Sequence, residues 1–225
     1  MMHLLRGWFG EKKTTLNMWM SLDNSDYHRF HNLFVPTFNG TAQIDHLIIS
    51  QYGIFIVETK NLKGWIFGNE SSKQWTQSLY GKKYRFQNPL HQTYRQKKAL
   101  SNYFNIDESL IQTVIYFSGD CSLKTVMPIN IMDRGLGRYI KSFRRELLST
   151  TQKKQLIGLL HSHVSTCTVT NREHVKSLRE RHSSSTSCPR CGSSLVERVA
   201  RNGPNAGRTF LGCQSFPKCR FIKNN

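Results

Sequence analysis

The 225-residue chain lacks any long apolar run, and this absence limits where it can work. No stretch approaches the roughly 20 apolar residues that cross a bilayer. The first residues, MMHLLRGWFGEKK, contain no apolar segment as long as that of a signal peptide. We therefore expect a cytoplasmic protein that does not enter a membrane. The glycine-rich fingerprints of P-loop and dinucleotide-binding proteins are also missing, so the sequence gives no sign of an ATP-driven motor.

Acidic residues are scarce, because 14 Asp and Glu stand against 32 Lys and Arg, for a formal net charge of +18. So large an excess favours a polyanionic partner, with nucleic acid ahead of an anionic membrane. Charge can also serve solubility alone, but that interpretation leaves the aromatic content of 11% unexplained. The apolar fraction of 38% excludes a disordered chain, and the length predicts one domain plus a smaller unit.

Cysteine is sparse in most of the chain, yet four of the six cysteines fall within the last 38 residues. In a reducing compartment this clustering favours a metal over disulfides. Cys188 and Cys191 form a CPRC knuckle, and Cys213 and Cys219 follow 21 residues later. Four thiolates suit one tetrahedral Zn²⁺, which would supply most of the folding free energy of so small a unit. The alternative is four unrelated free thiols.

The residues around the second cysteine pair, FLGC followed by FPKC, resemble the C-terminal C4 zinc ribbons of bacterial type I topoisomerases. The resemblance covers residues 187–222 and implies a single-stranded DNA binder. Aromatic rings would stack on bases and cations would follow phosphates. For any one phenylalanine, packing around the zinc hairpin is the alternative. Charge and aromatics alone do not distinguish DNA from RNA. The candidate contact residues are Arg190, Arg208, Phe210, Phe216, Lys218, Arg220 and Phe221.

Residues 43–61, QIDHLIISQYGIFIVETKN, predict two apolar strands joined by a tight turn. Residues two apart on a strand point to one face, so Glu58 and Lys60 project together. Pairing with the neighbouring strand would bring Asp45 beside them. Carboxylates suit a hard cation such as Mg²⁺, and a lysine beside such a site can orient water or neutralise developing charge. The pattern predicts a metal-and-water site that could hydrolyse phosphodiesters.

These residues also have structural interpretations. A Glu-x-Lys pair at a strand end is usually a solvated surface pair, whereas a lone carboxylate such as Asp45 inside an apolar strand is costly to bury. His46 alternates to the other face and is predicted to pack or to hydrogen-bond. His161 and His163 cannot share one helix face, so no metal site is predicted there.

The segment QIDH followed by GIFIVETKNLKGWIFG resembles the nuclease-related domain family, whose fold belongs with the PD-(D/E)xK nucleases. The resemblance runs from about residue 10 to residue 117 and includes a Gly-Glu pair at the start and an NPxxQ motif at 88–92. It implies a sheet edge at which an acidic pair binds Mg²⁺ or Mn²⁺ and a lysine lies beside the attacking water.

Carried onto this chain, the resemblance assigns the metal to Asp45 and Glu58 and the water to Lys60. Glu11 is the candidate third carboxylate, although acids at helix N-termini are favoured by the helix dipole in any case. Gln92 is a candidate to position phosphate or water, with a structural role as the alternative. The predicted function is a metal-dependent deoxyribonuclease, and the alternative is a catalytically inactive nucleic-acid-binding adaptor in DNA processing or repair.

The element pattern predicts an α/β (α+β) fold, a PD-(D/E)xK-like mixed sheet flanked by helices, with a small C-terminal zinc ribbon. Asn88 as N-cap and Pro89 at the first helical position predict a helix to about residue 103. The polar run HSSSTS at 182–187 predicts a linker, which separates a domain at 1–181 (core about 10–118) from a ribbon at 188–222. Other expected elements are helices at 12–22, 137–148, 151–163 and 171–181 and strands at 32–36, 112–117, 124–127 and 129–132.

Overall fold

A computed structural model describes residues 22–37 and 39–224. The candidate carboxylate Glu11 and almost all of the helix predicted at 12–22 lie outside the described residues. The chain divides into two compact units. The first contains the chain up to Phe34 together with Gln43–Cys167, and the second contains Val35–Ala42 together with the chain from Thr168 onward.

Among the described elements, strands are followed by helices twice before the final ribbon of three strands. In chain order the elements are β1 (His28–Thr37), β2 (Gly40–Ser50), β3 (Gly53–Lys60), β4 (Gly64–Phe67), β5 (Gln74–Leu79), β6 (Lys82–Gln87), α1 (Pro89–Phe104), a 3₁₀ turn (Glu108–Leu110), β7 (Ile111–Phe117), β8 (Cys121–Leu123), β9 (Ile131–Met132), α2 (Leu136–Lys141), α3 (Thr150–Thr166), α4 (Asn171–Ser183), β10 (Leu195–Val199), β11 (Thr209–Cys213) and β12 (Ile222–Asn224).

The central sheet has the strand order β1-β2-β3-β7-β9 and is mixed. β2 and β3 form an antiparallel hairpin, whereas β3 with β7 and β7 with β9 are parallel. The segments GIFIV of β3, LII of β2 and VIYF of β7 are continuous buried apolar runs, as expected where strands are covered on both faces. The predicted α+β class with a mixed sheet flanked by helices is therefore confirmed.

The two faces of this sheet are covered by different elements. On one face Phe55 and Val57 pack with Leu136 and Ile140 of α2. The other face is contacted by α1 and by a second sheet of order β6-β5-β4-β8, whose Trp75 stacks on Phe117 with ring centroids 6.3 Å apart. Because Glu58 alternates with Val57 along β3, it belongs to the face that α1 covers.

Three predicted elements differ from the observed ones. The first strand continues through Pro36, which is tolerated because β1 is the edge of its sheet. The helix predicted at 137–148 ends at Lys141, since the amides of Leu147 and Leu148 donate to the carbonyl of Gln51 instead. The strand predicted at 124–127 lies at Cys121–Leu123, where it pairs in parallel with β4.

In the second unit, α4 packs on the tip of the β1–β2 hairpin. The Thr41 hydroxyl lies 2.7 Å from His174 Nδ1, and Arg181 donates to the Thr41 carbonyl. Gly40 has a φ of +117°, and a Cβ there would come within 2.7 Å of Ser177 Cβ. Helix α4 and the ribbon thus belong to the same compact unit. The domain limits 1–181 and 188–222 and the linker at 182–187 stay predictions.

Among the described residues, no helix has both the length and the apolar character needed to span a bilayer.

Candidate functional site

The β2–β3 hairpin brings Asp45 close to the end of β3. The regular ladder runs from His46 opposite Val57 to Ser50 opposite Gly53, so Asp45 and Glu58 are the next residues outward and share the other face. There the Thr59 amide donates to Asp45 Oδ2 at 2.9 Å. At the point where the ladder stops, the Asp45 carboxylate therefore accepts the hydrogen bond of a β3 amide in place of a backbone carbonyl.

Glu58 is the buried centre of a polar network, with only 2% of its surface exposed. Its Oε1 accepts a hydrogen bond from Lys60 Nζ at 2.6 Å, and its Oε2 accepts from Gln96 Nε2 at 2.7 Å. Lys60 Nζ also donates to Gln92 Oε1 at 3.0 Å, and Gln96 Nε2 to the Gln43 carbonyl at 2.8 Å. The network ties β3 to α1 through charge-assisted hydrogen bonds, which are stronger than neutral ones.

Lys60 carries a positive charge in this setting. Burial by itself would lower its pKa, but the charge and hydrogen bond of Glu58 and the charge of Asp45 outweigh burial, and the pKa is raised. The side chain stays 22% exposed, so its ammonium group can still meet solvent. A lysine with a raised pKa is a cation at neutral pH and cannot act as a general base.

Helix α1 is fixed in register by its first residues. Asn88 caps it, accepting from the Leu90 amide at 3.0 Å, and Pro89 stands at the first helical position. The Asn88 amide group also donates to the carbonyls of Asn69, Glu70 and Ser72. Because one end of α1 is held this firmly, Gln92 and Gln96, one helical turn apart, reach β3 together.

The structure thus brings together four of the residues singled out in the sequence: Asp45, Glu58, Lys60 and Gln92. It adds Gln96, which the sequence analysis missed. The available signal was its position four residues after Gln92, since i and i+4 share a helix face. The Gln96 Oε1 atom is buried and has no hydrogen-bond partner within the described chain. The catalytic roles of these residues stay predictions.

The histidines lie apart from this network. His46 points to the opposite face of the sheet, where its Nδ1 lies 2.7 Å from Nδ1 of His31, and burial lowers its pKa to about 3. His163 donates from Nε2 to the Phe34 carbonyl, whereas Nε2 of His161 lies 3.1 Å from Nε2 of His28. The two helix histidines therefore have different partners, as their spacing predicts.

The four C-terminal cysteines form the second site. All four sulfurs lie within 4.8 Å of one another, with Cys188 and Cys219 3.8 Å apart and Cys191 and Cys213 3.3 Å apart. Zinc–sulfur bonds of about 2.3 Å in a tetrahedron give sulfur–sulfur distances of about 3.8 Å. The thiols therefore fit one structural Zn²⁺. Within residues 22–37 and 39–224, no other group of three or more potential metal ligands occurs.

Hydrogen bonds among the sulfurs shift the pKa values of Cys188 and Cys191 in opposite directions. The bonds with Cys191 and Cys219 raise the pKa of Cys188, and the bonds with Cys188 and Cys219 lower the pKa of Cys191. A thiolate is thus favoured at one position of the cluster. Zinc binds thiolates, so a thiolate at this position suits a zinc ligand.

The predicted contact residues of the ribbon divide into packed and exposed groups. Phe221 packs against the cysteines, which is the alternative interpretation, and Phe210 is half-buried. Phe216 is exposed, and the Arg198 guanidinium lies 5.7 Å from its ring centroid. Arg190 is half-buried, and the cations exposed to solvent are Arg208, Lys218 and Arg220.

Comparison with known proteins gives two family matches. Residues 6–118 match the nuclease-related domain family, and residues 185–225 match the topoisomerase DNA-binding C4 zinc finger family. An uncharacterized protein of Bacillus anthracis is 42% identical over 123 residues, which are 53% of this chain and 57% of that protein.

The ribbon has relatives of its own. DNA topoisomerase 1 of Mycoplasmoides gallisepticum is 50% identical over 38 residues, 17% of this chain and 5% of that protein. DNA topoisomerase 1 of Methanothermobacter thermautotrophicus is 53% identical over 34 residues, 15% of this chain and 4% of that protein. The chain thus spans little more than half of the Bacillus relative and a small part of each topoisomerase. No solved structure matches the chain significantly.

Proposed function

The chain belongs to the nuclease-related domain family and carries a topoisomerase-type zinc ribbon, and we propose that it is a metal-dependent nuclease that hydrolyses DNA phosphodiester bonds. The observation that carries the proposal is the buried network in which Glu58 binds Lys60 and Gln96 on the sheet face that Asp45 shares. Burying a carboxylate is costly unless it is paired. Charged groups with perturbed pKa values, such as Lys60, are concentrated at functional sites.

Asp45 and Glu58 would hold Mg²⁺ or Mn²⁺, because carboxylate oxygens are the ligands these hard cations prefer. When bound, the cation would polarise the scissile phosphate and lower the pKa of a water molecule. Glu58 would then bind the cation in place of the hydrogen bond that it accepts from Lys60. The Lys60 ammonium would then be free to donate to the water or to a phosphate oxygen, where its charge opposes the developing negative charge. Gln92 keeps that ammonium in place.

The zinc ribbon would bind the substrate in single-stranded form. Exposed Phe216 offers a ring on which a base can stack, and the neighbouring cations can meet phosphates. The zinc itself would have a structural role, since four cysteines leave no open coordination position. A cytoplasmic location belongs to the same proposal.

Cleavage of labelled single-stranded, duplex, nicked and branched DNA with Mg²⁺ or Mn²⁺ tests this function. We expect Glu58→Gln and Lys60→Met to lower the cleavage rate by a factor of about 100 or more while DNA affinity is kept. Lys98→Met is a matched control, because its ion pair with Glu108 lies outside the network. The site assignment is wrong if both variants cleave as fast as the unsubstituted protein.

One observation favours a second function, that of an inactive nucleic-acid-binding adaptor. Both carboxylate oxygens of Glu58 already accept hydrogen bonds from protein donors. Among the described residues, the cysteine cluster is the one place where three or more potential metal ligands lie together. Calorimetric titration of zinc-loaded protein with Mn²⁺ separates the two functions. Heat of binding that Asp45→Asn removes supports the nuclease, and no binding supports the adaptor.

A further inference from the structure

The second sheet of the first unit has one buried face and one open face. Ile66 and Trp75 point inward, where they pack with Phe117 of the central sheet. The side chains that alternate with them form what we name the outer face. The strand register places Trp65 opposite Ser78 and Ser78 opposite Lys83, and it places Phe67 opposite Thr76 and Thr76 opposite Arg85. The outer face is therefore Trp65, Phe67, Thr76, Ser78, Lys83 and Arg85.

Two aromatic rings stand side by side on this face without being part of the core. Trp65 is 55% exposed and Phe67 is 37% exposed. They are two residues apart on β4, so their Cα atoms are separated by about 6.6 Å, roughly twice the 3.4 Å rise per base of a nucleic-acid strand. Rings at this spacing on a four-stranded sheet can each stack one unpaired base of an extended strand.

The charged residues of the outer face are all basic. Lys83 and Arg85 are exposed, and Lys124, which follows β8, places its Nζ 5.0 Å from the ring centroid of Trp65. The sequences of the four strands, GWIF, QWTQSL, KKYRFQ and CSL, contain no Asp or Glu. Phosphates of a strand laid over the rings would meet only cations from this sheet.

We propose that the outer face binds single-stranded nucleic acid through stacking on Trp65 and Phe67, with phosphates held by Lys83, Arg85 and Lys124. Polar Thr76 and Ser78 lie between the rings and the two β6 cations, Lys83 and Arg85, and can hydrogen-bond to bases or phosphates. An anionic membrane is the other polyanion to consider. It would need a continuous apolar patch to enter the bilayer, and the interleaved polar residues break such a patch.

This proposal rests on the proposed function only in taking the bound nucleic acid to be DNA. Duplex DNA presents no free base faces, so the face selects unpaired strands, and it belongs to the nuclease-related domain itself and not to the ribbon. Its test is made without added Mg²⁺ or Mn²⁺, so that binding by the outer face and cleavage at Glu58 can fail independently.

The experiment is a tryptophan fluorescence titration of the full zinc-loaded chain with poly(dT). We expect quenching, because a base stacked on Trp65 reaches an exposed indole. Trp65→Leu keeps an apolar side chain but removes the ring. It should remove most of the quenching and weaken binding by a factor of about 5 to 150, the range for the loss of one base–aromatic stack. Phe67→Leu should weaken binding while leaving the Trp65 signal.

Tyr80→Leu is the matched control, since Tyr80 is an exposed aromatic in the β5–β6 turn and is not one of the outer-face residues. It should bind like the unsubstituted protein. Far-ultraviolet circular dichroism reports that each variant is folded. Arg85→Gln should lower the slope of log affinity against log salt by about 0.7, the value for one phosphate contact on a single strand.

Two results would overturn the proposal. One is unchanged quenching and affinity in Trp65→Leu. The other is quenching of Trp65 by vesicles of phosphatidylserine and phosphatidylcholine but not by poly(dT), which would make the outer face a membrane surface. Loss of cleavage in Glu58→Gln with full quenching at Trp65 would leave both proposals standing, whereas cleavage unaffected by Glu58→Gln would remove only the proposed active site.

Discussion

The network around Glu58 is surrounded by a packed apolar core, whereas the four cysteines of the ribbon have almost no core around them. Glu58 alternates with fully buried residues on β3, and α1 covers it from above. Among the described residues, the apolar side chains that pack with the cysteines are Leu195 and the partly buried Leu211 and Phe221. The first site therefore keeps its shape through burial and hydrogen bonds, while the second needs a cation to hold its strands together. A metal would act on chemistry in one and on folding in the other.

The largest expected effect concerns the dependence of the cysteine site on its metal. Cys213→Ser removes a zinc ligand, and apparent zinc-binding free energies of about 10 kcal/mol or more are coupled to the folding of such units. We expect loss of bound zinc and fast hydrogen exchange in β10 and β11, with exchange in β3 unchanged. Cys167→Ser, outside the cluster, is the control. Protected β11 amides in the zinc-free variant would show that the ribbon does not depend on its metal.

The next effect concerns the ion pair. Lys60→Met leaves the Glu58 carboxylate buried with Gln96 as its donor, and the free energy of unfolding should fall by about 2 to 3 kcal/mol at pH 7. Glu58→Gln/Lys60→Met should recover part of this loss, because no charge is then buried. Denaturant unfolding of the two single variants and the double variant measures the coupling.

The pH dependence of that loss follows from the pKa of Lys60. A raised pKa means that the stabilisation is present below the ordinary value of 10.5 and disappears as the pH rises through the raised value. The difference between the unsubstituted protein and Lys60→Met should therefore be constant near neutrality and shrink only at strongly alkaline pH. A difference that shrinks between pH 7 and pH 9 would contradict a protonated Lys60.

A smaller effect comes from the other face of the sheet. His46 has a pKa of about 3 in the folded chain and an ordinary value of 6.5, so below pH 6.5 the unfolded chain binds a proton that the folded chain does not. Stability therefore falls as the pH falls, by about 1.4 kcal/mol per pH unit, or about 2 kcal/mol at pH 5. His46→Gln should flatten the stability profile between pH 7 and pH 5, as measured by denaturant unfolding at several pH values.

The smallest effect on stability belongs to the exposed ring of the ribbon. Phe216→Leu should change the free energy of unfolding by less than about 0.5 kcal/mol, as expected for a surface position. Its affinity for single-stranded DNA should nevertheless fall about fivefold or more, measured by fluorescence anisotropy. Phe221→Leu should show the reverse pattern, because Phe221 packs on the cysteines. If both variants lowered the affinity equally, Phe216 would not be the one ring of the pair that stacks on a base.

Local patterns predicted the parts of the fold that depend on neighbours in sequence. The Asn88-Pro89 helix start, the β2–β3 hairpin and the cysteine knuckles all follow from residues a few positions apart. The early end of α2 at Lys141 was not predictable in this way. It depends on Leu147 and Leu148 donating to Gln51, which lies far away in the chain. Gln96 was missed for the same reason, since its partners Glu58 and Gln43 are on strands that precede α1.

The sequence by itself determined the family, the four zinc ligands, the strand that carries Glu58 and Lys60 and the excess of positive charge. Alternation along β3 fixes which residues share a face, and close spacing fixes a metal knuckle, so both can be inferred without a fold. Only the tertiary structure decided that Glu58 is buried, that both its oxygens are occupied and that Trp65 and Phe67 share an open face with Lys83 and Arg85. Those facts depend on which surfaces distant elements cover, and a local pattern does not contain that information.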